Sequence, residues 1–89
     1  DELRARIYCA GEPLLLTRYE YLLLAVLMRS PERVYSRAQL MSMVWTHEAS
    51  MERTVDAHVK SLRMKIRALL PDADPIQTHR GLGYSYRAQ

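Results

Sequence analysis

Apolar and polar residues alternate near the start of the chain, with Leu3, Ala5, Ile7 and Cys9 set against Arg4, Arg6 and Tyr8. A period of two predicts a strand. Gly11 and Pro13 interrupt it, and the leucines at 14, 15 and 16 predict a second short strand, antiparallel to the first. From Thr17 the period lengthens. Tyr19, Leu22, Leu23, Val26 and Leu27 fall on one face of a helix. Thr17 and Glu20 have the spacing of a capping box, so the helix starts there. It stops at Ser30, because Pro31 disfavours helical geometry in the residue before it.

Val34 and Tyr35 predict a stub of strand, and Ser36 with Gln39 forms a second capping box. The helix this box opens draws its bulk from Ala38, Leu40, Met41, Met43, Val44 and Trp45. Residues 46–51, "THEASM", are a polar break. A third and longest helix is predicted from about Glu52 to Leu70, with Val55, Val59, Leu62, Ile66 and Leu69 as its buried stripe. Arg53, Ala57, Lys60 and Met64 project from the opposite side, flanked by Ser61, Arg63 and Arg67. Pro71 ends it. Residues 76–79 and 84–87 then form a hairpin around "RGLG". The order is β-β-α-β-α-turn-α-β-β.

At 89 residues and 48% hydrophobic, the chain suits one small domain spanning 1–89, with a packed core. No apolar run approaches the ~20 residues of a membrane-spanning helix. The charged, alternating N-terminus is not a secretory signal. Cys9 is the single cysteine, which excludes a disulfide framework within the chain and reads as a buried thiol.

Charge changes the picture more. The formal net charge is +3. Residues 53–87 carry Arg53, Lys60, Arg63, Lys65, Arg67, Arg80 and Arg87 against Asp56, Asp72 and Asp74, while the rest is slightly acidic. A basic C-terminal half points to a polyanion partner. Two helices joined by a short turn, the second with a positive outer face, make a helix-turn-helix, and an α-helix fits the major groove of duplex DNA. The hairpin beside it is then a wing. Gly81 and Gly83 narrow its tip, and Arg80 places a permanent charge where a narrow minor groove concentrates negative potential.

Catalytic chemistry finds no motif. His47, His58 and His79 lack metal-ligand spacing, and Gly81 and Gly83 lack the lysine and following helix of a phosphate-binding loop. Neither a cofactor nor a metal is expected. Asp56, inside the basic helix, is expected to pair with a neighbouring arginine. His58 either donates to a phosphate or sits on the helix flank. Lys65 and Arg67 complement the helix dipole. Tyr84 and Tyr86 are expected to anchor the wing.

The segment "RTVDAHVKSLRMKI" followed by "IQTHRGLGYSY", after "LTRYEYLLLAVLMRSPERVYSRAQLMSMVW", resembles the winged-helix effector domain of OmpR/PhoB-type response regulators. The resemblance covers nearly the whole chain from Leu14 onwards. It implies an α+β winged helix-turn-helix: three helices, a short N-terminal antiparallel strand pair and a C-terminal hairpin wing. Members are bacterial cytoplasmic transcription regulators in which a phosphorylatable receiver domain precedes this one.

By the resemblance, Arg53 and Thr54 engage phosphates, and Ala57 and Ser61 face base edges. His58, Lys60 and Arg63 grip backbone or bases, and Thr78 and Arg80 reach the flanking minor groove. The segment 46–51 matches a loop that in some relatives touches RNA polymerase. Ser61 stands where several relatives place a longer basic or amide side chain. The implied partner is double-stranded DNA with direct-repeat sites, bound as a homodimer by the full-length protein. A winged helix that binds an acidic protein is the rival reading, and a small hydrolase a more distant one.

Overall fold

The computed structural model describes residues 8, 9, 11–46 and 51–88. Strands β1 (Tyr8–Cys9) and β2 (Glu12–Pro13) pair antiparallel around Gly11, whose φ of 82° favours glycine at this turn. This corrects one expectation. The second strand lies at Glu12–Pro13, and leucines 14–16 follow it outside any strand. Leu14 turns into the core while Leu15 stays exposed. Residues 3–7 of the expected first strand lie outside the described residues, as do residues 47–50 of the loop after Trp45.

Helices α1 (Arg18–Arg29) and α2 (Arg37–Val44) begin where their capping boxes predict. The Thr17 hydroxyl accepts from the Glu20 N–H and the Glu20 carboxylate accepts from the Thr17 N–H. Ser36 and Gln39 do the same for α2. Each box satisfies two otherwise free amides of a first turn. Of the residues expected to fill α2, Leu40, Val44 and Trp45 are buried, whereas Ala38 and Met43 are exposed.

Helix α3 (Arg53–Leu69) has no side-chain cap. Its first turn is closed by the Thr54 and Val55 N–H groups on the carbonyls of Met51 and Glu52. Val55, Val59, Leu62 and Ile66 are buried and join Leu23, Leu24, Leu27, Leu40, Val44 and Trp45 in one core. Each such side chain removed from water contributes about 1.5–3 kcal/mol before the entropy of ordering the chain is subtracted.

Strands β3 (Ile76–His79) and β4 (Gly83–Tyr86) form the hairpin, with His79 opposite Gly83. A turn of three residues joins them. Leu82 N–H closes a four-residue turn on the His79 carbonyl, and Gly81 is the third of these four with φ 77°, the position where a type II turn demands glycine. The Val34–Tyr35 stub is a single bridge: Tyr35 and Tyr84 exchange N–H···O bonds of 2.8 and 2.9 Å. Gly83 makes this docking possible. A Cβ there would stand 1.9 Å from the Tyr35 carbonyl oxygen. The wing is thus built onto the strand stub that precedes α2.

Candidate nucleic-acid interface

Two stripes of identical spacing run along α3. One is buried: Val55, Val59, Leu62 and Ile66. The other starts two residues earlier, at Arg53, Ala57, Lys60, Met64 and Arg67, and all five are exposed. An offset of two residues is about 200° around a helix, so the second stripe faces directly away from the core. Three of its side chains are cationic and none is acidic.

The flanks between the stripes are stitched to the rest of the molecule. On the wing side, Arg63 donates to the Ile76 carbonyl at 2.8 Å and to the Thr78 hydroxyl at 2.5 Å, and its guanidinium lies 5.9 Å from the Tyr84 ring centre. Asp56 accepts from the Tyr84 hydroxyl and from Arg37 Nη1 at 3.0 Å. Asp56 therefore joins α2, α3 and β4. Its arginine partner comes from 19 residues earlier in the chain. Burial, the hydrogen bond to Asp56 and the carboxylate's charge push the Tyr84 hydroxyl up to about 12, so it stays protonated and donating. The Arg37 ion pair offsets a carboxylate that would otherwise repel a polyanion at the start of α3.

On the opposite flank, Ser61 donates to Glu20 Oε2 and Lys65 Nζ lies 2.5 Å from Glu20 Oε1. Glu20 is 3% exposed, so its cap carboxylate is also the anchor of α1 on α3. Burial pushes this carboxyl up, but the hydrogen bonds from Lys65, Ser61 and the Thr17 N–H, with the Lys65 charge, outweigh it and hold the group down at about 2. His58 Nδ1–H donates to the Thr54 carbonyl at 2.9 Å. Its ring sets an edge against Trp45 at 5.1 Å, and Trp45 stacks on Tyr19 at the same centroid distance.

The structure therefore divides the residues singled out from sequence. Arg53, Ala57, Lys60 and Arg80 are exposed, and Thr54 is half-buried at the start of α3. His58, Ser61 and Arg63 are half-buried, with polar atoms engaged inside the molecule. Thr78 is exposed and its hydroxyl accepts from Arg63. His58 lies on the helix flank with Nδ1 engaged by the Thr54 carbonyl. Lys65 holds Glu20, a stronger role than balancing a helix dipole. Three participants escaped the sequence: Arg37, Glu20 as an anchor, and His79, whose Nε2 lies 2.8 Å from the hydroxyl of buried Ser85. Of these, only Glu20 gave a signal, as the capping-box carboxylate of α1.

Helix and wing turn meet across a groove of about 380 Å³. Its lining includes Arg37 of α2, Glu52 and Asp56 at the start of α3, and Thr78, Arg80 and Gly81 of the wing. The beginning of α3 and the tip of the wing thus open onto the same surface. Among the described residues no helix is long and apolar enough to cross a membrane, and no cluster of His, Cys, Asp or Glu is arranged to hold a metal ion.

The fold and sequence are similar to those of known proteins. The family model described as "Transcriptional regulatory protein, C terminal" matches residues 11–86. The transcriptional regulatory protein CreB of Escherichia coli is 54% identical over 98% of this chain. The phosphate regulon regulator PhoB of the same organism is 42% identical over 97%. The chain spans 38% of the length of each. The DNA-binding domain of the response regulator AdeR, solved in complex with an intercistronic region, superposes with a TM-score of 0.87 at 29% identity, covering all of this chain and 90% of that one. With its family model matched over both the helices and the wing, the chain belongs to the C-terminal winged-helix effector domains of OmpR/PhoB-type transcriptional regulators.

Proposed function

We propose that this chain is the DNA-binding output domain of a two-component response regulator, a cytoplasmic transcription factor. Helix α3 enters the major groove and the turn at 80–82 enters the adjoining minor groove. The observation that carries this reading is the outward stripe of α3, cationic and free of carboxylates, held by Arg63 and Asp56 at a fixed angle to the wing. Arg53, Thr54 and Lys60 take phosphates, Ala57 meets base edges, and Arg80 reads the narrow groove. The Thr78 hydroxyl accepts from Arg63 and keeps its own O–H to donate to DNA. His58, Ser61 and Arg63 act one step behind, by fixing the helix and the wing.

The chain's share of its relatives' length leaves room for a receiver domain. Phosphorylation there would dimerise the protein, and two of these domains would occupy direct-repeat half-sites about one helical turn apart. The segment 46–51 would then face RNA polymerase. Selection of bound duplexes from a random pool tests the proposal. Enrichment of one sequence, arranged as a direct repeat, supports it. A pool that stays random, with salt-sensitive binding to an acidic protein instead, overturns it.

A further inference from the structure

Met64 does not fit a surface built only for phosphates. It is 64% exposed in the middle of a stripe whose other members are Arg53, Ala57, Lys60 and Arg67. Elsewhere an exposed methionine needs no explanation. Here it occupies the face that meets the polyanion, with cations before and after it. It offers no hydrogen-bond donor and only a weak acceptor. The one apolar group that base pairs present in the major groove is the C5 methyl of thymine. Ala57, one heptad earlier, has the same chemistry.

We propose that Ala57 and Met64 read two thymine methyl groups about three base pairs apart, and so set part of the sequence preference of this domain. The spacing follows from geometry. Seven helical residues rise about 10.5 Å, and successive base pairs rise about 3.4 Å. Lys60 stands between the two apolar groups and holds the helix at the depth where both reach the base edges. The hydroxyl of Ser61, the nearest neutral polar group of α3 between them, is committed to Glu20 and does not compete for the bases. An unbranched thioether side chain adapts to the methyl more readily than a branched one. A protein partner fits less well, because an apolar contact there would have to bury the flanking arginines and lysine as well.

The inference rests on the DNA-binding reading, and its test separates the two. A duplex recovered by this chain from a random pool is remade with deoxyuridine in place of each thymine in turn, which removes only the methyl. Affinity is measured by fluorescence anisotropy at constant salt. Two positions about three base pairs apart should each lose about threefold to fourfold, the value expected for one buried methyl. In the Met64→Ala variant one of these penalties should disappear and the other persist, with an unchanged thermal midpoint. Absence of any deoxyuridine penalty, or a Met64→Ala variant that keeps both, overturns methyl readout while leaving the proposed function intact. A pool that yields no preferred duplex overturns both.

Discussion

Arg63 on α3 donates to the carbonyl oxygen of Ile76 on β3 at 2.8 Å, and this bond fixes the wing against the helix it flanks. The same guanidinium reaches the Thr78 hydroxyl. Under the proposed function, Arg63 acts on DNA through geometry. Arg63→Ala should lower folding stability by about 1.5–3 kcal/mol, the range for hydrogen bonds made by a charged group. It should weaken binding to every duplex while leaving the slope of affinity against salt unchanged. Arg63→Lys should not rescue, since an ammonium cannot span both acceptors as a planar fork does. Denaturant melts and salt titrations of the two variants check this.

Lys60 and Arg80 predict the opposite pattern. Both are exposed, so alanine at either position should leave stability within about 0.5 kcal/mol. Lys60→Ala should make the salt dependence of DNA binding shallower by about one unit. Arg80→Ala should cost about 1–3 kcal/mol of affinity for the preferred duplex. Anisotropy titrations between low and moderate salt separate a lost phosphate contact from a lost groove contact.

Glu20 gives the fold a pH dependence. Despite burial, the Lys65, Ser61 and Thr17 hydrogen bonds hold its carboxyl down to about 2 in the folded chain, against an ordinary value of 4.5. The folded value is depressed, so the stabilisation is fully present above about 4.5 and is lost as pH falls through about 2. A shift of this size corresponds to about 3 kcal/mol. Glu20→Gln should destabilise by about that amount at pH 7 and flatten the stability profile between pH 4.5 and 2. Urea denaturation at a series of acid pH values reads both effects.

The two glycines of the wing should respond in a fixed order. Gly81 has φ 77° with open space around it, so Gly81→Ala should cost about 1–2 kcal/mol from backbone strain alone. Gly83→Ala should cost more, because its Cβ would collide with the Tyr35 carbonyl and break the bridge that docks the wing. Hydrogen exchange at the Tyr35 and Tyr84 amides should quicken in the second variant and stay slow in the first.

The sequence disclosed whatever depends on neighbours close along the chain. Capping boxes at Thr17–Glu20 and Ser36–Gln39, the stripe from Val55 to Ile66 and the turn at Gly81 are local patterns, and the structure keeps each of them. The roles of flank residues depend on partners far along the chain. Ser61 meets Glu20 from 41 residues away, and Asp56 meets Tyr84 from 28. No periodicity encodes such pairs, so the intramolecular partners of Ser61, His58 and Arg63 emerge only when the packing of α1, Trp45 and β3 around them is seen. The misplacement of β2 has another cause. Three leucines suit a strand, but the turn at Gly11 sets the register, and pairing starts at once with Glu12 and Pro13.

The most direct measurement follows backbone amide shifts of this chain as a preferred duplex is added. The largest changes should fall together on Arg53, Ala57, Lys60 and Met64 and on the turn from Arg80 to Leu82. Changes centred instead on the exposed arginines at 18 and 33, with α3 and the turn unmoved, would contradict the proposed function.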